Sequence, residues 1–365
     1  MHMFNCALQE LVNRIKDENI FFFGKGTWLK YIEYSDIMQL RDNFCYVVDN
    51  NPTEHVYLEE KYLKVYYPEQ LKEEDGGVII VTSSIYMYDM YKQLINMDLP
   101  DTFSCCFFPF VQLVSSKTEE TELTIESKDE RKIPKIIHSF WFSGEKKPEL
   151  YQKCIDTWPK YLPDYEIREW NTHNYNWHKN RFLEKAIECK AWAFASDYAR
   201  LDVVNEYGGI YLDMDVEVLK SFDSLLSECA FFGFANNVVI DLAVFGAEKN
   251  NKIVGDMLGL YSEIEPPAEK KDFNLYYQPL LIRKELVQNG VIMNGMCQKL
   301  CDATIYSSEF FMPKEFILFD DKRTDKSFCV HHNNFGWDDT SEKKQKKRVE
   351  NKILFDIIRS VEIHD

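Results

Sequence analysis

The chain has 365 residues, 45% hydrophobic and 15% aromatic, enough for a large core and about two domains. A formal charge of −17 argues against binding nucleic acid through the overall field and favours solubility. Ten cysteines occur with no Cys-x-x-Cys pair, several beside apolar residues (Cys45, Cys105, Cys106), and read as buried thiols of a reducing compartment. The start lacks the basic, then long apolar run of a signal peptide, and no stretch approaches the roughly 18 apolar residues of a membrane span. A cytoplasmic protein is expected.

In chain order, residues 1–19 read as a helix leading into a buried strand at Ile20-Phe21-Phe22-Phe23. Gly24-Lys25-Gly26-Thr27 opens a helix over Trp28 to Tyr34. A second strand, Cys45 to Val48, ends in Asp49, and a third, Val78 to Val81, precedes a helix through Leu94. Strands alternating with helices predict a small parallel sheet. Gly24-x-Gly26 with Asp49 resembles a Rossmann-type nucleotide site, but Leu29 stands where the third glycine belongs. Tight-turn glycines in a module that binds nothing are the favoured reading. The boundaries expected are a Rossmann-like α/β domain over 1–115, a charge-rich linker over 116–131, a second α/β domain over 132–340 and a terminal helix over 341–365.

The second domain opens on an apolar strand, Ile133 to Phe140, followed by Trp141-Phe142-Ser143-Gly144. A helix from about Glu149 to Trp158 and a strand from Tyr165 to Trp170, ending at Asn171, come next. The densest signal is residues 192–218. A helix carrying Asp197 and Arg200 three apart on one face stops at Gly208-Gly209, and a buried strand, Ile210 to Leu212, runs into Asp213-Met214-Asp215. If that backbone stays extended, the two carboxylates face one side. Like charges there need a positive partner, and a divalent cation with hard oxygen ligands answers that need. Asp197 and Arg200 alone would read as a local ion pair. Short strands follow at Ala230 to Ala235 and Val238 to Phe245, then a helix over residues 250–264, and Gln278-Pro279 opens another. Toward the end stand His331-His332, Trp337 and a basic run at residues 342–348 that could touch anionic lipid.

Ser-Asp-x-x-Arg followed by Tyr-Gly-Gly-Ile-Tyr-Leu-Asp-x-Asp resembles the DXD sugar-binding region of glycosyltransferase family 32, a block shared with the large clostridial glucosylating toxins. The resemblance spans about residues 132–340. It implies a GT-A-type fold and a metal-dependent retaining transferase that moves a sugar from a nucleotide-diphosphate sugar to a glycan or lipid-linked acceptor, as in surface polysaccharide synthesis, with peripheral membrane contact left open. By the same resemblance Asp215, with Asp213, would hold Mn²⁺ or Mg²⁺, and Asp197 and Arg200 would hold the sugar ring. Trp141 would stack on the base, with Asn171, Gln278 and Trp337 also on the donor side. His332 is the expected third metal ligand, because its spacing to Trp337 matches that of the toxins' metal-binding carboxylate to their Trp. Gly336 departs from the usual Ser before that Trp. Two other readings exist. Asp-x-Asp after an apolar strand also begins haloacid-dehalogenase-type phosphatases, though there it lies on the first strand rather than past residue 200. A non-catalytic nucleotide-sugar binder would be expected to have lost one of the charges that are all present here.

Overall fold

The computed structural model describes residues 1–33, 35–115, 130–314, 317–318, 320–333 and 341–362. It divides into two compact units: Met1–Glu119, Ile317–Phe319 and Thr340–Asp365 in one, Glu120–Phe316 and Asp320–Asp339 in the other.

The first unit is built on a seven-stranded sheet ordered His2–Met3, Phe103–Phe107, Gly77–Val81, Ile20–Phe23, Phe44–Val48, Lys61–Tyr66, His55–Leu58. All neighbours run parallel except the last pair, which is antiparallel. Ile20–Phe23 is buried at every residue, which is why it reads as an unbroken apolar run. Asp49 uses both carboxylate oxygens on backbone N–H groups, those of Lys25 at 3.0 Å and Asn51 at 2.8 Å. The helix expected over residues 1–19 covers only Leu8–Ile15. Cys45, expected to be buried, is exposed, because it occupies the outward position of Phe44–Val48. The terminal helix Ser341–Glu362 packs within this unit. There Asn351 donates to the carbonyl of Ser84 at 2.7 Å, Lys347 pairs with Asp89 at 2.6 Å, and Phe355 sits edge-on to Phe110.

The second unit is also α/β. Its seven-stranded sheet is ordered Gln298–Lys299, Thr304–Tyr306, Ala230–Asn236, Val239–Ala247, Gly209–Leu212, Ile136–Phe140, Glu166–Trp170. Gly209–Leu212, Ile136–Phe140 and Glu166–Trp170 run parallel, so Asp213, Trp141 and Asn171 leave the sheet at the same carboxyl edge. Ligands of open α/β sheets gather at that edge. Gly209–Leu212 has both faces covered. Ile210 and Leu212 enter one apolar cluster, with Val244 and Trp158; Tyr211 enters the other, with Phe140, Leu201 and Phe245.

The helix Trp192–Tyr207 lies against this sheet with Ala195, Tyr198, Ala199, Leu201, Val203 and Val204 all buried. Each of the larger aliphatics contributes about 1.5–3 kcal/mol by leaving water. Burial extends around most of the helix, so Arg200 and Asp202 are buried with it and need partners. Gly208 ends the helix at φ +67° and Gly209 enters the strand at φ +112°. A Cβ on Gly209 would lie 2.7 Å from the Ile136 carbonyl oxygen and 3.0 Å from Nε2 of His138. That imidazole donates from Nε2 to the Gly208 carbonyl at 2.9 Å and accepts from the Trp170 indole at Nδ1 at 3.1 Å. An indole N–H only donates, so the ring is neutral with its proton on Nε2.

Beyond the sheet, Val216–Val218 pairs antiparallel with Cys329–His331, Val216 opposite His331. Helix Glu149–Tyr161 holds that ribbon: Trp158 donates from Nε1 to the Val216 carbonyl at 2.9 Å, and Oγ1 of Thr157 accepts from the Val218 N–H at 2.9 Å.

Candidate active site

Asp213-Met214-Asp215 is not extended. The N–H of Val216 donates to the Asp213 carbonyl at 3.1 Å, closing a turn between Gly209–Leu212 and Val216–Val218. The carboxylates still converge, because the turn folds Asp215 back toward Asp213 and the paired strand brings His331 beside them. Ligand atoms of Asp213, Asp215 and His331 all lie within 4.8 Å of one another. Nε2 of His331 is 3.2 Å from Oδ1 of Asp215.

His332, the expected ligand, is turned the other way. Its Nε2 is 2.9 Å from Oε2 of Glu217. Successive side chains of a strand alternate, so His332 shares a face with Val330 and the facing Glu217, while His331 takes the opposite face. Trp337 and Gly336 lie outside the described residues.

Arg200 joins the helix to this turn. Its Nη2 is 3.1 Å from Oδ1 of Asp197 and 3.4 Å from Oδ1 of Asp213, and its Nε donates to the Ser196 carbonyl at 3.2 Å. The guanidinium sits over the Tyr211 ring, 4.8 Å from its centre, and the Tyr211 hydroxyl donates to Oδ1 of Asp213 at 2.6 Å. Asp213 and Tyr211 stand two apart and so face the same side. Asp197 and Arg200 therefore form more than a surface pair: they are one end of a chain, Asp197–Arg200–Asp213–Tyr211, in which Arg200 and Tyr211 are buried and the two carboxylates half-buried.

Gln278, expected on the donor side, is buried. Its Nε2 donates to the Asp197 carbonyl at 2.6 Å and to the Tyr261 hydroxyl at 2.9 Å. It fixes the backbone that carries Asp197. Trp141 is half-buried at the carboxyl edge; its indole donates to the Glu145 carbonyl at 2.7 Å and its ring meets Tyr151 edge-on. Asn171 shapes its own turn, its side-chain oxygen accepting from the His173 N–H at 2.8 Å.

The charges at the turn are unbalanced. Burial, with Asp213 and Asp241 nearby, pushes Asp197 up to about 7 against the pull of Arg200. Burial raises Asp213 as well, although Arg200 and His331 oppose it. His331, which burial alone would hold neutral, is raised to about 9 by Asp215 first and then by Asp241 and Asp213. Burial also works against the charge of Arg200, and Asp213, Tyr211 and Asp197 more than offset it. Carboxylates that resist ionising beside a histidine that holds a proton describe a site short of positive charge. Nδ1 of His331 is buried and has no hydrogen-bond partner among the described residues. Two carboxylates and an imidazole are suitable donors for Mn²⁺, and the oxygens suit Mg²⁺. The residues present fit a divalent cation.

Asp241 and Tyr211 carry no motif of their own. Asp241 is a lone acid within the apolar strand Val239–Ala247, opposite Gly233. An unexplained charge in an apolar strand was the available signal, but only the strand order brings it near Asp197 and His331.

Residues 148–232 match the model of the family described as glycosyltransferase sugar-binding region containing DXD motif. Inositol phosphoceramide mannosyltransferase 3 of Schizosaccharomyces pombe is 32% identical over 129 residues, which is 32% of this chain and 35% of that protein. Inositol phosphoceramide mannosyltransferase 1 of the same organism is 27% identical over 134 residues, 34% of this chain and 40% of that protein. The chain thus spans well under half the length of these relatives. Among solved structures, PaToxG glycosyltransferase is similar over 43% of this chain and 68% of its own, at 22% identity and a TM-score of 0.36. No helix among the described residues is long and apolar enough to cross a membrane.

Proposed function

We propose that this chain, which carries a DXD-type glycosyltransferase sugar-binding region at residues 148–232, is a metal-dependent retaining glycosyltransferase. It transfers a hexose from a nucleotide-diphosphate sugar to a glycan or lipid-linked acceptor, and its second unit is a GT-A-type catalytic domain. The observation that carries the reading is the convergence of Asp213, Asp215 and His331 next to the Asp197–Arg200 pair.

Asp213, Asp215 and His331 would hold Mn²⁺ or Mg²⁺, which when bound supplies positive charge to the departing diphosphate. The remaining work belongs to side chains. Asp197 offers its carboxylate to sugar hydroxyls, from a backbone that Gln278 keeps still. Arg200 holds Asp197 and Asp213 at a fixed separation, so that sugar and diphosphate are gripped in one geometry. Trp141, at the same sheet edge, is the candidate for the base, and Trp337 for covering the donor.

A phosphatase reading asks Asp213 to act as a nucleophile. Its Oδ1 already accepts from Tyr211 and faces Arg200, an arrangement suited to a fixed ligand rather than an attacking oxygen. The names of the relatives direct attention to mannosyl transfer and an inositol-phosphate lipid acceptor. Such an acceptor would bring the chain to a membrane surface, where the basic run at residues 342–348 would be of use.

The test is a panel of UDP- and GDP-hexoses with Mn²⁺, scored for slow donor hydrolysis without acceptor and then for transfer to inositol-phosphate lipids and to glycans. Metal-dependent hydrolysis of one donor supports the reading and identifies the sugar. Phosphate release from simple phosphomonoesters, with every sugar nucleotide intact, would replace it with the phosphatase.

A further inference from the structure

Away from this site, on the second unit, the side chains of Lys132 and Cys229 meet beside the backbone of Cys301, where two parallel strands begin. Ala230–Asn236 and Thr304–Tyr306 pair with Phe231 opposite Thr304; Cys229 immediately precedes the first strand and Cys301 stands three residues before the second. Asn251 clamps the entries together, its buried amide reaching the carbonyls of Cys229 at 3.4 Å and Asp302 at 3.0 Å. The Glu248 N–H holds the Cys229 carbonyl as well, at 2.8 Å. Sγ of Cys229 lies 4.0 Å from the carbonyl oxygen of Cys301. Nζ of Lys132 donates to that sulfur at 2.9 Å, from a segment fixed by the Lys132 and Ile133 N–H groups on the Leu226 carbonyl. Cys229 is half-buried and Cys301 exposed.

We propose that Cys229 is a thiol-oxidation site for hydroperoxides and that Cys301 resolves it as a disulfide. A cation in contact with the sulfur and partial access to solvent mark a reactive cysteine. The Cys229 sulfur attacks the distal oxygen of the hydroperoxide and the O–O bond breaks. The alcohol, or water from hydrogen peroxide, departs with the thiol proton, leaving a sulfenic acid. The Cys301 sulfur then attacks the Cys229 sulfur, the S–O bond breaks, and water leaves with the second proton. The sum is two thiols and one hydroperoxide giving one disulfide, one alcohol and one water. With the Cys301 carbonyl beside the Cys229 sulfur, Cys301 is the thiol placed to close a disulfide, which needs a short Cα separation. The site does not depend on the transferase reading.

The experiment treats the full chain with graded hydrogen peroxide, blocks remaining thiols with iodoacetamide, and reads peptides by mass spectrometry. The expected product is a Cys229–Cys301 cross-link, two hydrogens lighter than its separate thiol peptides and reversed by dithiothreitol. It forms at lower peroxide than any modification of the exposed Cys45. Cys301→Ser should stop the reaction at a dimedone-reactive sulfenic acid on Cys229. Lys132→Gln should slow the cross-link severalfold, and Lys132→Arg should restore most of the rate. Oxidation of Cys45 while Cys229 stays alkylatable would overturn the proposal. A cross-link from Cys229 to Lys132, one oxygen heavier and two hydrogens lighter, would overturn the role of Cys301.

Discussion

Nε2 of His331 stands 3.2 Å from Oδ1 of Asp215 although 116 positions separate them, because Cys329–His331 pairs with the strand that follows the Asp-x-Asp turn. The two histidines at this strand end therefore make opposite predictions. His331→Ala should raise the Mn²⁺ concentration for half-maximal donor hydrolysis on the order of 10–100-fold, as expected for disturbing a metal's surroundings. His332→Ala, which loses a contact to Glu217 on the opposite face of the strand, should leave that concentration within about twofold. Metal titrations of both variants decide it, and the reverse ranking would restore His332 as the ligand.

The distinction between 331 and 332 was beyond the sequence for a definite reason. A one-residue change along a strand inverts the face, and the register with Val216–Val218 appears in no local pattern. Other features were legible. The helix carrying Asp197 and Arg200 shows in its apolar spacing and its Gly208-Gly209 stop, and the strand Gly209–Leu212 shows as a short apolar run between glycines and acids. The Asp213–Asp215 stretch misleads, because alternation is assumed for it while the chain turns at Val216. Asp241 and Gln278 were hard to read for a shared reason: their significance comes from what long-range packing sets beside Asp197.

Gln278 supplies the second expectation. Its amide is the link between the Asp197 backbone and Tyr261. Gln278→Leu keeps the volume and removes the donor, leaving a carbonyl and a hydroxyl without that partner at a cost of about 1–3 kcal/mol. Donor hydrolysis should fall through a weaker KM and a lower kcat together, because Asp197 loses its position. Tyr261→Phe, which leaves the Asp197 contact in place, should lose less. Equal losses in both variants would show that the Tyr261 hydroxyl, rather than the carbonyl of Asp197, is the partner that matters.

His138 predicts a pH dependence of stability. Both ring nitrogens are committed, and burial lowers the group from its ordinary 6.5 to about 4. The unfolded chain takes up the proton first as pH falls. The stabilisation is therefore complete above about pH 6.5 and is lost progressively toward pH 4, up to about 3 kcal/mol. Urea unfolding at pH 7, 6 and 5 should show the advantage of the native chain over His138→Gln shrinking with each step down. A constant difference would mean that the histidine titrates alike in both states.

Gly209→Ala tests the hinge between helix and strand. At φ +112° an alanine is strained, and its Cβ would meet the Ile136 carbonyl oxygen at 2.7 Å, a backbone atom that cannot swing away. Strain and overlap together should cost about 2–4 kcal/mol. The thermal midpoint of the second unit should drop by several degrees, and the Asp-x-Asp turn should lose metal affinity in what remains folded. Gly259→Ala, where nothing lies within 4 Å, is the matched control and should be near neutral.

Arg200 separates structure from chemistry most cleanly. Its guanidinium reaches Asp197 and Asp213, donates to Ser196 and covers Tyr211. A lysine ammonium is a point charge and cannot hold two carboxylates in a planar fork, so Arg200→Lys should fold yet lose most donor hydrolysis. Arg200→Met goes further and leaves two half-buried carboxylates without their cation, which should destabilise the chain by up to about 3 kcal/mol. Adding Asp197→Asn removes one of those stranded charges. The double variant should therefore recover part of the lost stability, giving a coupling energy of at least about 1 kcal/mol between the two positions. It should recover no turnover, because neither the sugar-facing carboxylate nor the clamp is restored. Chemical unfolding of the four chains, with hydrolysis of the donor identified from the panel, reads both quantities. Strictly additive stability losses would mean that Asp197 and Arg200 do not act as one unit. Turnover regained in the double variant would remove them from the proposed sugar site.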